Sequence, residues 1–128
     1  MRKAASKKVL IVDDEPEICE VVSDYLLKRR RFKIYEAYDG AQALGVIEKV
    51  KPDLIILDIL MPVMDGFELL KRLKGEPAYS KIPVIILTIK SEAENLDKGI
   101  TLNADFYLPK PVKLENLMNF VNLVLGDK

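Results

Sequence analysis

Val9-Leu10-Ile11-Val12-Asp13-Asp14-Glu15-Pro16 is four apolar residues, then three acids, then a proline. A continuous short apolar run closed by polar residues marks a strand buried on both faces, as in a parallel sheet. The period then changes: Ile18, Val21, Val22, Tyr25 and Leu26 recur at helical spacing. Asp14 is placed to cap that helix and Pro16 to stand in its first turn. The chain keeps this alternation to its end. Residues 32–37 form a weaker strand, and Asp39-Gly40 opens a helix carrying Ala43, Leu44 and Ile47. Pro52 precedes Leu54-Ile55-Ile56-Leu57, a third strand ending at Asp58. After the turn-rich Met61-Pro62-Val63-Met64-Asp65-Gly66, Phe67, Leu70 and Leu73 line a helix that stops near Gly75 and Pro77. Pro83 starts a fourth strand over residues 84–87, ending at Thr88. A helix over residues 91–102 follows, with Asn103 at its left-handed stop. Residues 105–108 make a fifth strand, and Leu114, Leu117, Met118, Val121 and Leu125 line the final helix. Five strand-helix units without repeat, linker or low-complexity tract predict an α/β domain, a doubly wound (βα)5 three-layer sandwich on a parallel five-stranded sheet. Ligands of such sheets bind beyond the carboxyl ends of the strands.

The 128 residues suit one domain, with a short extension over residues 1–7 and the domain over residues 8–125. Lys and Arg number 20, as do Asp and Glu, so the chain is formally neutral and has no global field to hold nucleic acid. The basic run Lys28-Arg29-Arg30-Arg31 reads as a solvated helix end whose cations complement the helix dipole. Histidine is absent, which excludes Ser-His-Asp and Cys-His triads, His-ligated zinc or iron, and phosphorylation on imidazole. Cys19, the single cysteine, cannot close an internal disulfide and reads as a small core residue of a protein kept in a reducing compartment. Val9 to Val12 is too short for a signal peptide's apolar region or a membrane span, so the expected location is the cytoplasm.

The chemistry gathers at the strand ends. Asp13 and Asp14 follow the first strand, Asp58 the third and Thr88 the fourth, while Lys110 follows the fifth between Pro109 and Pro111. Each alone has an ordinary structural reading; together they put three carboxylates, a hydroxyl and an ammonium on one rim. Two like charges about 4 Å apart cost on the order of 4 kcal/mol at an effective dielectric of 20. One lysine does not offset three carboxylates, and an all-oxygen donor set calls for a hard cation, Mg2+ first and Mn2+ next. A carboxylate beside Mg2+ and a lysine is equipped to accept a phosphoryl group in line.

These motifs, Val-Leu-Ile-Val-Asp13-Asp14-Glu-Pro, Leu-Asp58-Ile-Leu-Met-Pro62-Val-Met-Asp65-Gly66, Leu-Thr88 and Tyr107-Leu-Pro-Lys110-Pro111, resemble the receiver domain of two-component response regulators over nearly the whole chain. The resemblance implies the flavodoxin-like strand order 2-1-3-4-5. It implies that Asp58 takes a phosphoryl group from a phosphohistidine on a sensor histidine kinase or a histidine phosphotransfer protein. Asp14, Asp58 and the backbone carbonyl of Leu60 would bind Mg2+ directly, and Asp13 through a metal-bound water. Lys110 would contact the phosphoryl oxygens, with a cis Lys110-Pro111 peptide fixing its approach. Thr88 would hydrogen-bond the phosphoryl group and Tyr107 turn inward behind it, a two-state element that switches the face built from the helix before the fifth strand, that strand and the last helix. The downstream target or effector domain stays open, with no direct nucleic-acid or membrane contact expected.

The departures are specific. Ile89 stands where the family favours a small residue, and is expected to narrow access to Asp58 and slow phosphotransfer or hydrolysis. Asn103 replaces a common Gly, and Val112 a common Phe. The last helix lacks the arginines that winged-helix regulators use in dimer contacts, which weakens the case for that form of phosphorylation-dependent dimer. A haloacid-dehalogenase-type phosphatase needs an acid two residues after its nucleophile, where this chain has Leu60. A flavodoxin-like flavin binder needs a Ser/Thr/Gly-rich loop in place of Asp13-Asp14-Glu15, and a P-loop NTPase needs a Gly-Lys-Ser/Thr loop that is missing. A degenerate receiver acting only as a binding module is the bland alternative to a signalling domain that phosphorylates and dephosphorylates itself without being a turnover enzyme.

Overall fold

The computed structural model describes residues 7–29, 32–58, 66–89 and 106–126. Among them are β1 (Lys7–Val12), α1 (Pro16–Arg29), β2 (Phe32–Ala37), α2 (Gly40–Val50), β3 (Leu54–Asp58), α3 (Gly66–Lys74), β4 (Val84–Ile89), β5 (Phe106–Lys110) and α4 (Leu114–Leu125). The strands form one sheet in the order β2-β1-β3-β4-β5, parallel throughout. The helix expected over residues 91–102 and its stop at Asn103 lie outside the described residues.

Strand alternation sorts the core into two layers. Val9, Ile11, Leu54, Ile56, Ile85, Leu87 and Leu108 face one side, covered by Cys19, Val22 and Leu26 of α1 and Leu117, Met118 and Val121 of α4. Leu10, Val12, Ile55, Leu57, Val84 and Ile86 face the other, against Ala43 and Ile47 of α2 and Leu69, Leu70 and Leu73 of α3. β1 from Val9 onward and the whole of β3 are buried, which is why they read as unbroken apolar runs. β2 lies at one edge, and its half-exposed middle explains its weaker signal. At the other edge, Phe106 of β5 stacks on Phe120 of α4, with ring centroids 4.5 Å apart and planes 11° from parallel.

Several boundaries differ from the sequence reading. α1 begins at Pro16, the first helical position, so the capping place falls to Glu15 and not Asp14. The Glu15 carbonyl accepts from the N–H groups of Ile18 (3.0 Å) and Cys19 (3.4 Å). β4 runs two residues past its apolar run, and β5 runs two residues past Leu108 to Lys110, with Thr88 paired to Pro109 and Ile89 to Lys110; residue 105 lies outside the described residues. Lys110 is therefore the last residue of a strand and does not follow it. Pro109 is tolerated there because β5 is an edge strand. At α2, Asp39 does cap the helix, accepting from the Gln42 N–H at 2.7 Å. Among the described residues, no helix is long and apolar enough to cross a membrane.

Candidate functional site

Sheet register builds the site. Val12 pairs with Leu57, so the next residues, Asp13 and Asp58, emerge side by side. Alternation puts Asp13 on the Val9–Ile11 face and Asp58 on the Leu54–Ile56 face, the same side of the sheet. Lys110 continues the Phe106–Leu108 face of β5 and so points to that side as well. A long side chain is needed, because β4 lies between β3 and β5.

Three carboxylates meet there: Asp13, Asp14 and Asp58 each offer an oxygen within 4.8 Å of the others. Asp13 and Asp58 are buried and Asp14 is exposed, so the cluster opens to solvent through Asp14. Asp14 faces this cluster instead of capping α1. Lys110 Nζ lies 2.9 Å from Asp13 Oδ2 and 3.5 Å from Asp58 Oδ1. Burial works to lower the Lys110 pKa, but the contact with Asp13 and the charges of Asp58, Asp13 and Glu15 outweigh it and hold the pKa above its ordinary value.

Asp13 is held from several directions. Its N–H donates to the Ala37 carbonyl (3.1 Å), and its Oδ1 accepts from the Glu15 N–H (2.9 Å). Its carbonyl accepts from Cys19 Sγ at 3.6 Å. Burial pushes the Cys19 thiol up to about 12, with Glu36 and Asp13 adding to the shift, so it stays a protonated donor. Among the described residues Asp13 Oδ2 is buried without an aligned hydrogen bond, and its short approach to Lys110 is an ionic contact. That leaves acceptor capacity turned into the cluster. A buried oxygen of this kind, inside an all-oxygen set carrying more negative than positive charge, fits a hard divalent cation.

The other sequence candidates are placed less fully. The backbone of Thr88 lies on β4, paired with Pro109, and Ile89 is paired with Lys110. Tyr107 pairs with Ile86 one strand over and packs against the layer covered by α2 and α3. Its hydroxyl is buried with no hydrogen-bond partner among the described residues, and burial pushes its pKa up. The Lys110–Pro111 peptide is cis, as expected. Leu60 lies outside the described residues. Sequence reasoning missed the Cys19 and Glu15 contacts with Asp13, and also a cluster at β2 in which Ser23 Oγ (2.8 Å) and Tyr38 Oη (2.7 Å) both donate to Glu36.

Comparison with known proteins decides the family. Residues 9–122 match the family described as the response regulator receiver domain. The chain belongs to that family. As such it is a receiver domain of two-component signalling. It is 47% identical over 106 residues to the response regulator GtcR of Aneurinibacillus migulanus, covering 83% of this chain and 42% of that protein. It is 40% identical over 119 residues to the phosphate regulon transcriptional regulatory protein PhoB of Pseudomonas aeruginosa, covering 93% of this chain and 52% of that protein. The receiver chain thus spans about half the length of these curated relatives. Among solved structures, the chemotaxis protein CheY4 of Vibrio cholerae superposes with a TM-score of 0.86 at 35% identity, covering 94% of this chain and 99% of that one. A response regulator from Chloroflexus aurantiacus gives a TM-score of 0.89 at 30% identity, covering 96% and 100%.

Proposed function

We propose that this receiver accepts a phosphoryl group on Asp58 from a phosphohistidine of a sensor kinase or histidine phosphotransfer protein, in a Mg2+-dependent reaction. The supporting observation is the meeting of Asp13, Asp14 and Asp58 within 4.8 Å, with Lys110 Nζ 3.5 Å from Asp58. An Asp58 carboxylate oxygen forms the new O–P bond as the N–P bond to the imidazole breaks, and the imidazole leaves with that electron pair. Asp14 and Asp58, with the Leu60 carbonyl, would hold the ion, and Asp13 would act through a metal-bound water. The bound ion would supply charge compensation for the transferring group. Lys110 adds a second positive charge aimed at the phosphoryl oxygens. Thr88 and Tyr107 would carry the change to the face built from the helix expected over residues 91–102, β5 and α4: the hydroxyl of Thr88 would bind the phosphoryl group and Tyr107 turn inward behind it. The chain has no histidine, so the donor imidazole belongs to another protein or domain.

The same reading makes the domain a switch that phosphorylates and dephosphorylates without turning over a separate substrate. It works in the cytoplasm, makes no direct contact with nucleic acid, and passes its signal to a downstream protein target or effector domain. The test is incubation with a small phosphodonor and Mg2+, read by intact mass. One phosphoryl group should be added, and none without Mg2+ or in Asp58→Asn. Incorporation that survives Asp58→Asn overturns the acceptor assignment.

A further inference from the structure

Asp13 is the most deeply buried of the three acids, and what fixes it is not confined to its own loop. Its N–H is tied to β2 through the Ala37 carbonyl, its Oδ1 to the Glu15 N–H, and its Oδ2 to Lys110 of β5. The fourth tie comes from α1. Cys19 is fully buried, and its Sγ reaches the Asp13 carbonyl at 3.6 Å, six residues back along the chain. The peptide group whose carbonyl Cys19 holds links Asp13 to Asp14, so a rotation there swings the Asp14 carboxylate against its neighbours. A buried carbonyl that loses its donor must turn to find another or remain unpaired. Asp13 Oδ2, 2.9 Å from Lys110 Nζ but without an aligned hydrogen bond among the described residues, keeps acceptor capacity turned into the acidic cluster.

We propose that Cys19 is a positioning residue for the metal site: its thiol locks the Asp13–Asp14 peptide so that both carboxylates converge with Asp58 on one cation. The inference rests on the reading of the acidic cluster as a Mg2+ site. It assigns Cys19 no contact with the ion and no part in the phosphoryl transfer.

Three variants separate donation from packing. Cys19→Val fills the space and cannot donate, Cys19→Ala removes both volume and donor, and Cys19→Ser keeps a donor. Each is titrated with Mg2+ by calorimetry and unfolded with urea in parallel. Outer partners of metal ligands are typically worth about 10–100-fold in affinity, and a thiol is a weak donor, so Cys19→Val and Cys19→Ala should bind Mg2+ about three- to tenfold more weakly. Cys19→Ser should stay within about twofold of the parent on the same scale. Should Cys19→Val be too unstable to titrate, the Ala and Ser pair decides. Wild-type affinity in Cys19→Val or Cys19→Ala overturns the inference while leaving the Mg2+ site intact. So does a Cys19→Ser that weakens as much as Cys19→Ala, which would make the residue a matter of shape alone. A parent protein with no saturable Mg2+ binding overturns the inference and the metal reading together.

Discussion

Lys110 carries the only short cationic contacts to the acidic cluster among the described residues, 2.9 Å from Asp13 and 3.5 Å from Asp58. Its side chain is 10% exposed, and those of the two acids are 0% and 5% exposed, so solvent screens the group weakly. Deleting one partner of a buried ion pair costs roughly 3–5 kcal/mol, because the other charge stays buried without compensation. Lys110→Met should therefore lower the unfolding free energy in Mg2+-free buffer by about 3 kcal/mol. Saturating Mg2+ should restore most of that loss, since the ion would neutralise the same carboxylates. Urea unfolding with and without Mg2+ checks this, and an equal deficit in both buffers would separate the metal from the Lys110 site. These residues were legible in the sequence because strand ends and charge mark them without any fold. Cys19 was legible only as a core residue. Its bond to Asp13 spans six residues from helix to strand end, a spacing no helical or strand period picks out, and it exists only because α1 docks on β1.

Elements were read best where one physical signal dominated. The weak strand over residues 32–37 and the last helix from Leu114 to Leu125 fall where the structure has them. The short-fall was at β4 and β5, whose final residues are held by pairing with each other and not by apolar character. The Asp14 cap failed because α1 begins at Pro16, which puts Glu15 at the capping place and leaves Asp14 beside the acidic cluster. α2 offers a test of local propensity set apart from function. Gly45 sits exposed in mid-helix, and a Cβ added there meets nothing within 4 Å. Glycine costs a helix interior roughly 0.5–1 kcal/mol relative to alanine. Gly45→Ala should raise the unfolding free energy by about that amount and leave Asp58 phosphorylation unchanged. A loss of stability in urea melts would mean that α2 needs a flexible or uncrowded point there.

At the scale of the whole molecule, the missing histidine and the balanced charge acquire a common meaning. Formal neutrality conceals a rim where three carboxylates meet one lysine, and the absence of imidazole leaves no side chain whose ordinary pKa lies between pH 5 and 8. Among the described residues, the groups whose pKa values move all titrate on the alkaline side and all move upward. Burial raises Cys19 from 9.0 to about 12, and the hydrogen bond to Glu36 raises Tyr38 from 10.0 to about 12. Burial raises Tyr107, and for Lys110 contact with the acids outweighs burial to give a net rise. A group with a raised folded pKa holds its proton more tightly in the native state. As pH passes the unfolded value the unfolded chain releases that proton first, and stability falls until the folded value is reached. Folding stability should therefore vary little from pH 6 to 8 and decline from about pH 9 toward 12, the interval set by Cys19. Urea unfolding across that range measures it. In Cys19→Ser the first part of the decline should disappear, leaving a fall that starts near pH 10 with the tyrosines and Lys110. Constant stability from pH 8 to 11 would mean that the protons on Cys19 and Lys110 are held no more tightly in the fold than out of it.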